Sequence, residues 1–303
     1  MYDLITIGAG PAGITAAIYA ARKKMNFLVI TKDIGGQTTL SSDIENYTGY
    51  QYITGIELTG KFEEHMREFD IELRELEEVV GIEKVDDTFR VKTKKNVYET
   101  RTVIIASGAK PRTLNIPGEV EFKNRGVTYC ATCDGPLFAD MEVAVIGGGN
   151  SALDATLQLI NIASKIYLIT INPTFRADKI MFEKVKGSSK VTILYNTRTL
   201  EVIGEKMVKG LRVETKGEQR TLNVQGIFIE IGYVPNSDMA SNLVKCNERG
   251  EIIVDNYNRT NVPGVFAAGD VTNVPQKQII IAAGEGAKAC LSAFEYLSKL
   301  KTG

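Results

Sequence analysis

A chain of 303 residues is long enough for two domains of ordinary size, and 44% hydrophobic residues place it among folded globular proteins. A net charge of −1 gives no electrostatic footprint for nucleic acid or an anionic membrane surface, and no apolar run is long enough to span a bilayer. Four cysteines are too few for a disulfide scaffold, and the single histidine, His65, stands among Glu63, Glu64 and Glu68 in an expected surface helix from Lys61 to Phe69.

Met1-Tyr2-Asp3 leads straight into apolar Leu4–Ile7 without the pattern of a signal peptide, so the cytoplasm is the expected location. Leu4–Ile7 has the composition of a buried parallel strand. Gly8-Ala9-Gly10-Pro11-Ala12-Gly13 follows, then an alanine-rich helix from about Ile14 to Lys23 and a second strand, Phe27–Thr31. This is the opening strand–turn–helix–strand of a dinucleotide-binding unit. Gly8 makes the tight turn, Gly10 admits a pyrophosphate to the backbone, and Gly13 lets helix pack on strand. The acid that reads a ribose at the end of the second strand is missing or displaced. Thr31 stands there and Asp33 comes two residues later.

Val79–Thr102 alternates in short runs, as an antiparallel meander does, and Val103–Ala106 is another buried strand ending in Ser107-Gly108. Lys110–Gly118 and Gly232–Asn236 have the Pro/Gly content of linkers. Between them the first pattern recurs: strand Glu142–Ile146, turn Gly147–Ala152, helix Ala152–Ile162, strand Lys165–Thr170. Gly264–Asp270 is a strand ending in a glycine–acid pair, and Gln278–Leu297 a helix. The expected fold is α/β, with two Rossmann-like domains. One is discontinuous, 1–112 and 243–303, and the other, 113–242, is inserted into it.

Cys130 and Cys133 precede the second glycine turn by about fourteen residues. Zinc would need a second pair or histidines, and two inert buried thiols are the bland alternative. A redox dithiol fits best beside a βαβ unit, because this spacing closes a small disulfide ring. Asp134 can carry the proton that exchange requires, and it also suits a turn before Gly135-Pro136. Cys246 and Cys290 read as small buried hydrophobes.

Taken together, Gly8–Gly13, Gly35-Gly36-Gln37, Glu45-Asn46-Tyr47, Ala106-Ser107-Gly108, Cys130–Gly135, Gly147–Ala152, Phe175-Arg176-Ala177, Gly264–Asp270 and Lys277-Gln278-Ile279 resemble the low-molecular-weight thioredoxin reductases, flavoprotein disulfide reductases. The resemblance spans essentially the whole chain. It implies FAD in the discontinuous domain, at Gly8, Gly10, Pro11, Ala12, Gly13, Gly35, Gly36, Gln37, Asn46, Ala106, Gly108, Gly269, Asp270, Lys277, Gln278 and Ile279. It implies a nicotinamide nucleotide in the inserted domain, at Gly147, Gly149, Asn150, Ser151, Ala152 and Arg176. It also implies a cytoplasmic homodimer; no metal is expected, for want of a second cysteine pair or histidines. Cys133 would face the flavin, Cys130 would attack the disulfide of a thioredoxin- or glutaredoxin-like partner, and Asp134 would be the acid/base. A small inserted domain carrying both dithiol and nucleotide is expected to rotate between two docked states.

NADPH-using members place His-Arg-Arg where this chain has Thr170-Ile171-Asn172, and only Arg176 remains nearby. Loss of two charge-assisted hydrogen bonds would weaken NADPH by about 10²–10⁴-fold. No acid favours the NADH ribose either, so both NADPH and NADH stay open as donors. Other readings are the NADH-linked reductase core of an alkyl hydroperoxide reductase, a reductase driven by deazaflavin or ferredoxin, and a non-enzymatic flavin redox sensor. The intact Gly147–Ala152 turn argues against a donor that is not a dinucleotide.

Overall fold

The computed structural model describes residues 1–41 and 44–300 and divides them into two compact units. The first comprises Met1–Leu40, Ile44–Lys110 and Val234 onward; the second is essentially Pro111–Tyr233.

Strand β1 (Tyr2–Ala9) is apolar on both faces because it lies inside a parallel sheet, with Leu4 and Ile5 fully buried. Helix α1 (Pro11–Arg22) starts earlier than the alanine pattern predicts. Gly10 is its N-cap, and proline is tolerated at the first helical position, where the missing N–H has no partner to lose. β2 (Phe27–Ile34) pairs parallel to β1. α2 (Gly55–Arg67) opens with a capping box between Thr54 and Glu57 and carries an exposed His65. β3 (Glu72–Arg74), β4 (Val79–Val85), β5 (Thr88–Thr93) and β6 (Val97–Ile105) complete a sheet ordered β3-β2-β1-β6-β5-β4. β6 pairs antiparallel with the meander strand β5 through Val97–Thr100 and parallel with β1 through Thr100–Ile105.

The chain passes to the second unit along β7 (Ala109–Pro111). There, β8 (Val127–Thr128) leads into a one-turn helix α3 (Ala131–Asp134), followed by β9 (Glu142–Ile146), α4 (Asn150–Leu159), β10 (Lys165–Ile169), α5 (Lys179–Lys186) and β11 (Val191–Leu194). An antiparallel sheet of β12 (Thr197–Gly204), β13 (Val208–Thr215) and β14 (Glu218–Leu222) precedes β15 (Gly226–Ile229). The parallel sheet is ordered β11-β10-β9-β15-β8. Strand order reverses at β9, so the crevice beyond the strand ends opens between β9 and β15.

β16 (Tyr233–Pro235) returns the chain to the first unit, where β17 (Val265–Ala267) pairs with the end of β6 and α6 (Ile279–Leu300) covers α1. A Cβ on Gly286 would stand 2.0 Å from the Ala12 carbonyl, so only glycine allows α6 to lie this close.

Three expectations are corrected. The second changeover lies at 233/234 rather than 242/243, because Ala240 and Val244 pack into the first unit with Phe89 and Val91. Lys110–Gly118 is a linker only at its start, since the Pro117 carbonyl accepts the Val202 N–H at 2.9 Å and Gly118 lies against Val202. Cys290 is buried, but Cys246 is only half-buried.

Candidate active site

In the first unit the turn after β1 sits where the parallel strands end. Gly8 has φ +100, and a Cβ on it would meet the Ala106 carbonyl at 2.4 Å. A Cβ on Gly13 would stand 1.9 Å from the Gly8 carbonyl. These two glycines are therefore demanded by the backbone. Gly10 differs: only the Gly35 carbonyl, at 4.0 Å, lies near its missing side chain. Helix α1 carries no side-chain cap and no acid in its first turn, so no capping side chain occupies its N-terminal amide N–H groups. That arrangement fits a diphosphate.

Of the residues expected around this turn, Gly35, Gly36 and Gly269 lie against it. The Gly35 N–H donates to the Ala9 carbonyl at 2.7 Å, and Gly36 approaches Gly10. Thr31, in the place of the usual acid, accepts the Ala9 N–H at 3.1 Å and braces the turn. Gly269 packs on Ala12, and its N–H donates to buried Glu285 at 2.8 Å. Burial pushes the Asp270 carboxyl above its usual range, with Lys277 opposing and Glu285 adding. The Asn46 amide donates to Gln278 at 3.2 Å, just before Ile279 opens α6. Gln37 donates to the Ala109 carbonyl, and the Lys277 ammonium is held by the Thr272 carbonyl and by Glu251 at 3.4 Å. Sequence reasoning misses Glu285, although a lone acid in the apolar run Ile279–Cys290 marks a buried carboxyl.

The second unit repeats the device. A Cβ on Gly147 would stand 2.3 Å from the Glu230 carbonyl and 2.8 Å from the Ala152 side chain, whereas Gly149 has only the Arg176 carbonyl at 4.0 Å. Helix α4, which begins with Asn150 and Ser151, again has a glycine N-cap without side-chain cap or first-turn acid. Gly148 lies under Thr170 and Asn172, just past the end of β10. The Arg176 backbone N–H donates to Gly148 at 2.9 Å, and its exposed guanidinium makes no ion pair among the described residues. One free cation and two neutral polar groups thus line the place where a ribose would be read.

The dithiol is oxidised: Cys130 and Cys133 form a disulfide with Cα atoms 5.3 Å apart. Cys130 is the N-cap of α3, its Sγ accepting the Cys133 N–H at 3.2 Å. Its own N–H donates to Thr128 Oγ1 at 3.2 Å, and the Thr128 hydroxyl donates to Asp134. Both cysteines and Asp134 are half-buried, while Thr128 is buried. Behind Cys130, the Tyr129 hydroxyl donates to buried Glu119 at 2.8 Å. Burial, and then that hydrogen bond, push the Tyr129 hydroxyl far above its usual range. Neither Thr128 nor Glu119 carries a sequence signal. Among the described residues no cluster of His, Cys, Asp and Glu could hold a metal ion, and no helix is long and apolar enough to cross a membrane.

Residues 2–286 match the family described as pyridine nucleotide-disulphide oxidoreductase. The chain is 44% identical, over 98% of its length, to a subunit of the alkyl hydroperoxide reductase of Staphylococcus aureus strain MRSA252, and spans 59% of that protein. Among solved structures it resembles the thioredoxin reductase of Streptococcus pyogenes MGAS5005, with TM-score 0.92, 38% identity and 99% of each chain covered. It also resembles that of Giardia duodenalis, with TM-score 0.91, 31% identity, and 98% of this chain and 99% of the other covered. Two glycine cradles, a disulfide in the first turn of a short helix and these likenesses agree: the chain belongs to the pyridine nucleotide-disulphide oxidoreductases, flavoproteins that use FAD and NAD(P)H.

Proposed function

We propose that this chain is a reductase that takes electrons from NADH or NADPH and delivers them, through FAD and the Cys130–Cys133 pair, to the disulfide of a thioredoxin- or glutaredoxin-like protein. The observation that carries the reading is the disulfide at the start of α3, with Asp134 tethered to it through Thr128, in the same unit as the Gly149 cradle. The first unit would hold FAD and the second the nucleotide, in a cytoplasmic homodimer. Bound FAD would supply the two-electron step between nicotinamide and disulfide.

The chain's own residues then divide the work. The reduced pair presents a Cys130 thiol, and Asp134 is placed to take its proton. The Cys130 thiolate attacks one sulfur of the partner disulfide, forming a mixed disulfide and expelling a partner thiolate, which picks up a proton. The Cys133 thiolate attacks Cys130 Sγ, restoring the Cys130–Cys133 bond and expelling the second partner sulfur as a thiolate, which takes its proton from solvent. Two electrons and two protons have passed to the partner.

The test uses FAD-loaded protein under anaerobic conditions. Cys133→Ser should abolish turnover with a thioredoxin-like substrate and leave nicotinamide-driven flavin reduction largely intact. Cys130→Ser should show the long-wavelength band of a thiolate beside oxidised flavin. Full turnover in Cys133→Ser overturns the reading. Side-by-side flavin reduction should show a preference between NADH and NADPH below about tenfold, or 1.4 kcal/mol.

The 44% identity to the alkyl hydroperoxide reductase protein favours one second reading, in which the electrons leave for a peroxide-reducing system. Peroxide consumption in a mixture with a peroxiredoxin and a small disulfide protein, set against thioredoxin reduction alone, separates the two.

A further inference from the structure

Tyr129, the residue before Cys130, is held at both its side chain and its backbone. Its hydroxyl donates to Glu119 Oε1 at 2.8 Å, and its carbonyl accepts the Tyr233 hydroxyl at 2.8 Å. Glu119 is 1% exposed and accepts two further hydrogen bonds, from the Leu114 N–H at 3.0 Å on the same oxygen and from the Asn115 N–H at 2.7 Å on Oε2. The chain turns at Asn115, φ +56, as it brings both N–H groups to one carboxylate. A buried carboxylate is costly unless donors surround it, and an apolar residue at this position would need none of them. Leu114–Glu119 and Tyr233 lie towards the two chain ends of the second unit, Pro111–Tyr233.

The dithiol has little of its own to fix it. α3 is a single turn, too short to be stable by itself. β8, which leads into it, is two residues long and lies at the edge of its sheet. We propose that Tyr129 is a positioning residue for the dithiol: Glu119 and Tyr233 clamp it to the two chain ends of the second unit, so that Cys130 Sγ stays within reach of Cys133 once the disulfide is open. This rests on reading Cys130–Cys133 as redox-active. Thr128 holds Asp134, whereas Tyr129 holds the backbone that carries the sulfur.

The step that depends on this clamp is closure of the disulfide. FAD-loaded protein is reduced anaerobically with dithiothreitol, whose two thiols become a cyclic disulfide as the Cys130–Cys133 bond opens to two thiols. The reagent is removed and equimolar dithiobis(nitrobenzoate) is added. The Cys130 thiolate attacks one of its sulfurs, giving a mixed disulfide and the first thionitrobenzoate. The Cys133 thiolate then attacks Cys130 Sγ, closing the protein disulfide and expelling the second thionitrobenzoate. The protons of the two thiols go to solvent. Both releases are followed by absorbance in a Cys246→Ser background, because Cys246 is only half-buried.

Tyr129→Phe keeps the ring and removes the donor to Glu119. The second release should slow about tenfold, for the loss of one charge-assisted hydrogen bond, while the first, an encounter with a small reagent, is little changed. Tyr233→Phe removes the bond to the Tyr129 carbonyl and should slow the same phase several-fold. It gives a second measure that does not depend on how Glu119 tolerates the loss of its partner. A general loosening of the fold would expose the thiols and move the first phase as well. Unchanged closure in both variants, or both phases shifted by the same factor, overturns the proposal. A wild-type protein whose second release never comes would instead defeat the redox reading of the pair beneath it.

Discussion

At the scale of single residues, Thr128 shows how a hydroxyl with one proton can be fully committed. Its oxygen accepts the Cys130 N–H at 3.2 Å, so the proton is left for Asp134, to which it donates. The carboxyl proposed to move the exchange proton is thereby fixed relative to the cysteine that would release it. Thr128→Val keeps the buried volume and the β-branch but loses both bonds. Turnover should fall about tenfold, the kinetic equivalent of a 1.4 kcal/mol charge-assisted hydrogen bond, with the nucleotide KM unchanged. Thr128→Ser should restore most of it, because serine supplies the same donor and acceptor. A Ser variant as slow as Val would mean that packing, not the hydroxyl, matters at this position.

At the scale of elements, both cradles use the same construction: a parallel strand, a left-handed or crowded glycine, and a helix whose N-terminus has no side-chain cap. α2, by contrast, is closed by Thr54 and Glu57. The two kinds of glycine should separate by mutation. Gly13→Ala and Gly147→Ala drive a Cβ into backbone carbonyls at 1.9 and 2.3 Å, so both should lower the melting temperature markedly. Gly10→Ala and Gly149→Ala have no backbone within 3.4 Å of the new methyl and keep ordinary extended φ, so both should melt near wild type. Their methyls instead enter the anion cradle, and affinity should drop at least tenfold for FAD in the first and for the nicotinamide nucleotide in the second, read by cofactor content and by direct titration. Loss of stability without loss of binding in this second pair would show that the cradles are not the cofactor sites.

This local construction is also why so much of the fold and the site is legible in the sequence. β1, β9, their glycine turns and the cysteine pair are short-range patterns of hydrophobicity and backbone need, each contained in about ten residues. Periodicity carries no trace of which hydroxyl or carboxyl finds a partner, even one close in sequence, as at Thr128 and Glu119. The changeover at 233/234 is hidden for the same reason, since Ala240 and Val244 declare their side only by packing.

At the scale of the whole molecule, the division of labour between the units constrains the order of events. The dithiol and the Gly149 cradle belong to one compact unit, and the Gly10 cradle belongs to the other. Each unit closes its own cut ends. In the first the Asn236 N–H donates to the Gly108 carbonyl at 2.9 Å, and in the second the Arg112 N–H donates to the Gly232 carbonyl at 2.9 Å. Gly108 and Gly232 both sit at positive φ, +67 and +94, with no atom near their missing side chains, so the backbone at both crossings has room to turn. On the proposed function the second unit would present two different groups to one flavin ring and would change position between the half-reactions, and bonds internal to each unit would survive such a move. Covalently cross-linking the units should therefore stop turnover, while stopped-flow spectroscopy still detects either nicotinamide-driven flavin reduction or dithiol–flavin exchange at near its normal rate. Which of the two survives reports the position that was trapped, and breaking the cross-link should restore the other. Undiminished turnover in the cross-linked protein would mean that both groups reach the flavin without rearrangement, and the glycines at the crossings would then need another explanation.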